Sequence, residues 1–191
     1  MKKKIWRLAI TTVIMTGMAA CNTGTDTAKG DDTLNKMDKT HVDIDTIGRM
    51  KNTDAEWLSE VLENNYAEIK MSEQAQQKVS ASDVKSLAKT LEKDHKMLVT
   101  EAKDMAAQKN WTVATQETKD ARKNMEDMAD EDMKEYEKDW LKMMEDKHEK
   151  SIRKFENANV DDADLKTWIA NTLPRLRAHH DKIKQVQKNR K

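Results

Sequence analysis

All four glycines of the chain, Gly17, Gly24, Gly30 and Gly48, precede residue 50, and its single proline is Pro174. About 140 residues therefore run on with almost nothing to turn or break them, which a sheet and its hairpins do not tolerate. Charged residues at 37% and aromatic residues at 4% fit long amphipathic helices with solvated outer faces. The expectation is an all-α domain over residues 53–191.

Apolar residues at steps of three and four place four helices in that stretch. The first starts at the capping box Thr53-Asp54-Ala55-Glu56 and carries Leu58, Val61, Leu62, Ile69, Ala75 and Val79. Stepping along its stripe through Val61 and Asn65 lands on Glu68. After Ser80-Ala81-Ser82, the second carries Val84, Leu87, Ala88, Leu91, Leu98, Ala102 and Met105, with Asp94 and His95 filling the gap in the stripe. Residues 110–119 read as a loop whose Trp111 and Val113 fold back on the domain.

The third helical region, Lys119 to Asn157, has Met125, Met128, Met133, Tyr136, Trp140, Leu141, Met144, Ile152 and Phe155 in register, with His148 on the stripe. Asp130 offers a fresh cap, so this region breaks into two helices near Ala129 if that cap is used. The fourth, from Asp162, carries Leu165, Trp168, Ile169, Leu173, Leu176, Ile183 and Val186, with His179 in the stripe and a kink expected at Pro174. Short connections between the first and second and between the third and fourth imply an antiparallel up-and-down four-helix bundle.

The start of the chain is of another kind. Lys2, Lys3, Lys4 and Arg7 precede an apolar run of about eleven residues, Leu8 to Met18, where a bilayer-spanning helix needs about twenty. Residues 1–20 read as an export signal. Met18-Ala19-Ala20-Cys21 resembles a lipobox, which makes Cys21, the only cysteine, the site of lipidation (diacylglycerol and palmitate) rather than half of a disulfide. Residues 21–52, polar and poor in apolar side chains, read as a flexible tether. The chain is expected in the cell envelope, anchored in the membrane through its lipid, with an envelope protein as a further partner. Asn22 after the cysteine, in place of an acid, points to the outer membrane, facing the periplasm.

The signal holds four of the 35 basic residues, so 31 remain against 35 acidic ones and the mature chain carries a charge near −4. Nothing resembles the basic face that phosphate backbones require, so nucleic acid is excluded as a partner. The absence of a glycine-rich phosphate loop, of a cysteine inside the domain and of a serine motif gives no support to hydrolases or nucleotide enzymes.

Asp94-His95, Tyr136 followed by His148, and Thr172-Leu173-Pro174-Arg175-Leu176-Arg177-Ala178-His179 resemble a ferritin-like family of exported bacterial proteins known only as a domain of unknown function. The resemblance covers about residues 53 to 187, and its most specific piece is Leu173-Pro174 with His179 five residues after the proline. It implies a ferritin-like fold, no established activity, and recurrent polar positions at Glu68, Asp94, His95, His148 and His179. Two departures are Lys147, where the family has an acid before the histidine, and Met133-Lys134, where a Phe-Asp pair is common.

Ferritin-like di-iron bundles use Glu-x-x-His quartets with further glutamates. Glu92-Lys93-Asp94-His95 and Glu145-Asp146-Lys147-His148 have that spacing, but His179 is preceded at that distance by Leu176, so the di-iron template is incomplete. Counting from the turns puts Glu68 and His95 in one layer and leaves His148 and His179 offset by roughly 10 Å. A transition-metal site of Glu68 and His95 with one more of His148 and His179 is one reading, for iron, zinc, manganese or copper. The other is a buried polar layer in which His95 bonds to Glu68 and Asp94 faces Arg177, with Glu92 and Glu145 nearby. Met125, Met128, Met133, Met143 and Met144 read as flexible core filler, with Cu(I) as the alternative. His180 is expected in solvent and His41 in the tether. Two functions follow: a non-catalytic binding or structural module of the envelope, or a metal-binding protein with a redox or storage role.

Overall fold

The computed structural model describes residues 53–190, which belong to one unit of the chain, Asp43–Lys191. The export signal, Cys21 and the tether with His41 lie outside the described residues. The described residues form five helices and no strand: α1 (Thr53–Lys78), α2 (Ser82–Gln108), α3 (Lys119–Ala129), α4 (Met133–Glu156) and α5 (Ala163–Lys188). None of these helices is long and apolar enough to cross a membrane.

Local chemistry sets the boundaries. The Thr118 hydroxyl accepts the Ala121 amide at the start of α3, and the Asp162 carboxylate accepts those of Asp164 and Leu165 at the start of α5. The third helical region does divide after Ala129, but the residue that restarts the chain is Asp132, whose carboxylate takes the Lys134 and Glu135 amides. Asp130 instead ends α3. Asn110, with φ of 55°, terminates α2 in the left-handed region. There the Trp111 amide donates to Ala106 O at 2.8 Å and the Asn110 amide to Ala107 O, returning Trp111 and Val113 to the core as expected.

α1 packs on α2 and α4, and α5 packs on the same two. The shorter α3 rests against α1 and α4. Apolar side chains divide between two ends. Met71, Ala75, Leu87, Leu91, Tyr136, Trp140, Met144 and Ile183 belong to one cluster, and Leu58, Leu62, Leu98, Ala102, Phe155, Leu165, Trp168 and Leu176 to the other. The aromatic polar tips are satisfied on the way in, since Trp140 Nε1 donates to Met71 O and Tyr136 Oη to Gln74 Oε1. Met125, Met128 and Met144 are core residues while Met133 is exposed, so the methionines do not converge on one face. Between the two clusters, buried Asn65, Glu68, His95, His148 and His179 form a polar layer.

The connection between α4 and α5 governs that layer. Lys154 pairs with Glu60, whereas the Asp161 and Asp162 amides donate to Asp54 at the first turn of α1. Residues 157–162 therefore continue along α1 past the end of α4 before α5 turns back. Extended chain gains about 3.3 Å per residue against 1.5 Å in a helix, so the six-residue connection absorbs the axial difference between His148 and His179. The offset expected from residue counting is overturned: the His148 and His179 rings lie 5.4 Å apart. α5 runs unbroken through Pro174 from Ala163 to Lys188.

Candidate metal centre

Each ring of the layer comes from a different helix, His95 from α2, His148 from α4 and His179 from α5, and the carboxylate of Glu68 comes from α1. The three ring centroids form a triangle with every side 5.4 Å. One nitrogen from each ring lies within 4.8 Å of the others. Dividing that limit by √3 places a common centre no more than about 2.8 Å from each, where zinc–imidazole bonds are about 2.0–2.1 Å. Inward shifts of less than about 1 Å bring the rings to bonding distance.

The outer nitrogens fix the tautomers. Asn65 Nδ2 donates to Val61 O, so its Oδ1 faces His95 Nδ1 at 2.7 Å, and that nitrogen carries the proton. His148 Nδ1 donates to Met144 O at 2.9 Å, and His179 Nε2 donates to Asp94 Oδ2 at 2.9 Å. Neither a backbone carbonyl nor a carboxylate has a proton to give, so both rings carry theirs on the outer side. His95 Nε2, His148 Nε2 and His179 Nδ1 are left with lone pairs, buried and with no hydrogen-bond partner among the described residues. Glu68 Oε2 lies 3.1 Å from His95 Nε2 and 3.5 Å from His148 Nδ1, without a hydrogen bond to either. One nitrogen from each of the three rings thus faces the others, and Glu68 Oε2 lies beside His95.

Protonation reinforces this. Burial pushes His95 down to about 4, against the opposing pull of Glu68, and burial also lowers His179 despite its bond to Asp94. Burial raises the Glu68 carboxyl, but His95, His148, Lys147 and His179 outweigh it and hold the group below its ordinary value. The ring contribution to that lowering needs protonated rings and so belongs to acid. Near neutrality His95 and His179 are neutral.

His95, His148 and His179 come together, with Glu68 beside His95 and His148, although residue counting leaves His148 and His179 offset. Asp94 supports His179 rather than facing Arg177, which pairs with Glu156 on the half-exposed outer face. Residues two apart on a helix point to nearly opposite sides, so Arg177 cannot share the inward face of His179. Glu92 and Glu145 stand outside the layer, Glu92 with Gln76 and Lys96, Glu145 with Gln187. Asn65 and the Met144 carbonyl are the orienting groups that sequence reasoning does not single out. A polar residue on the stripe between Val61 and Glu68 is a signal for the first, and no side chain signals the second.

Fold and site together define an all-helical domain with a buried layer of three histidines and one glutamate. The chain belongs to the family described as a domain of unknown function (DUF4142), whose pattern matches residues 45–186. No curated protein and no solved structure matches it.

Proposed function

We propose that this domain binds one divalent transition-metal ion through Glu68, His95, His148 and His179. The observation that carries the reading is the convergence of one nitrogen from each of three buried rings, with the Glu68 carboxylate beside His95 and every ring held by an outer hydrogen bond. Ligating histidines are oriented in this way by carbonyls and carboxylates. A polar layer that served only to set helix register would supply a donor for each buried acceptor. Imidazole with one carboxylate suits iron, zinc, manganese or copper(II). With Glu92 and Glu145 turned away, one carboxylate is left, which fits a single ion rather than a di-iron pair.

The four long helices are read as an antiparallel ferritin-like bundle, with α3 as an added segment. Contacts such as Glu68 with His95, Glu60 with Lys154 and Glu101 with Arg175 support opposite directions for neighbours. The domain is read as a non-catalytic metal-binding module of the cell envelope, held at the outer membrane through Cys21. Mass spectrometry of the mature chain should show a lipid adduct that Cys21→Ala abolishes.

The decisive test is elemental analysis of the chain purified without chelator or histidine tag, beside His95→Ala. Near-stoichiometric metal that the variant loses supports the reading. Metal-free protein that also fails to take up added zinc, iron, manganese or copper overturns it.

A further inference from the structure

Each ring of the layer is held from outside by a different kind of group, and the three holds are not equally open to solvent. His95 leans on Asn65, itself buried and donating to Val61 O. His148 leans on the carbonyl of Met144, a fully buried residue of its own helix. His179 alone leans on a side chain that reaches water, since the Asp94 carboxylate is 31% exposed. Asp94 makes no other hydrogen bond or ion pair among the described residues. The candidate ligands themselves are shut in, with Glu68 and His95 2% exposed, His148 0% and His179 5%. An ion that arrives hydrated therefore reaches them only if a helix or a ring moves. Separation of α2 from α5 is opposed nearby, where Glu101, seven residues after Asp94, accepts from Trp168 Nε1 and Arg175 Nη1. Turning the His179 ring aside breaks one hydrogen bond, and water can take its place on the Asp94 carboxylate.

We propose that Asp94 and His179 form the port through which a divalent transition-metal cation enters and leaves the layer. Asp94 captures the hydrated ion at the surface, its bond to His179 Nε2 opens, and the ring turns aside before closing on the ion through Nδ1. This rests on the metal-binding reading above. A carboxylate at the mouth of a buried site raises the local concentration of cations and their rate of encounter. Asn65 and the Met144 carbonyl carry no charge and are buried, so the rings they hold offer no such entrance. Asp94 thus has two separable effects: holding the ring sets how long an ion stays, and its charge beside solvent sets how fast one arrives.

The test uses the full chain without a histidine tag, stripped of metal, and follows Co²⁺ uptake by visible absorption after rapid mixing, with a chelator chase for the rate of release. Asp94→Asn, which keeps the shape and removes the charge, should slow uptake roughly tenfold or more, and Asp94→Glu should recover most of it. Asn65→Ala loosens His95 without touching the port, so it should speed release while uptake stays near the wild-type rate. Uptake by Asp94→Asn at the wild-type rate, with any lost affinity residing in release, overturns the port and leaves Asp94 only as a support for the ring. Equal slowing of uptake in Asn65→Ala overturns it too, because either hold would then serve. Absence of any cobalt spectrum in the wild-type chain overturns the metal-binding reading itself, a distinct failure.

Discussion

Glu68 and Glu117 are both buried carboxylates, and their surroundings differ in one respect. Glu117, just before α3, takes Lys70 Nζ at 2.8 Å and Arg122 Nε at 2.9 Å on the same oxygen. Burial raises its carboxyl, but Lys70, its own amide and Arg122 outweigh that and bring it down to about 2. Both cations reach solvent at 51% and 46% exposure and hold one carboxylate oxygen, while the other is buried without a hydrogen bond. Glu68 has imidazole rings where Glu117 has a lysine and an arginine. The contrast is one of partners, permanent cations at Glu117 and imidazoles at Glu68.

The largest expected effect separates the two sites by metal. A hundredfold excess of a bound ion over its Kd adds about 2.7 kcal/mol of stability. Urea unfolding with and without metal should show that gain in the wild type and in Glu117→Gln, and none in Glu68→Gln or His148→Ala. Next, Glu117→Gln should lower the stability of the metal-free chain by about 1–3 kcal/mol, the range for a charge-assisted buried hydrogen-bond group. An unchanged midpoint would remove Glu117 from the comparison.

Asp94→Asn weakens the hold on His179 without touching a ligand. Metal affinity measured by competition with a chelator should fall about 10- to 100-fold, and an unchanged affinity would show that the ring needs no such support. The smallest effect is the slope of stability with pH in the metal-free chain, at most about 1.4 kcal/mol per unit for each group. His95 at about 4 against an ordinary 6.5 means that the unfolded chain takes the proton first. Stability should then fall as pH drops from 6.5 toward 4. Glu117, at about 2 against 4.5, should add a second loss between those values as pH falls. Glu117→Gln should flatten the lower window and keep the upper one.

Much of this was legible from residue order, and the exceptions have physical causes. Glu68 and His95 could be placed level because Val79 to Ala81 make a tight turn between two regular helices. Residue counting failed across 157–162 because extended chain climbs faster than helix. Glu117 gave no periodic signal, since it lies outside any helix and becomes buried only when Lys70 and Arg122 arrive from elsewhere. The Glu-x-x-His spacing was present, but Glu92 and Glu145 were free to meet Gln76 and Gln187 on other helices.

The connection at 157–162 turns a surface loop into a gauge for chemistry. Insertions in most loops cost little, because loop closure depends only weakly on length. Here Asp54 pins the far end and His148 and His179 must arrive at one height. One residue more or fewer would slide α5 along its axis and rotate it by about 100°, carrying His179 away from the other two rings. Such a chain would keep its helices while breaking up the three-histidine cluster, so loop length, which usually drifts freely among relatives, is here a specification written on the buried layer.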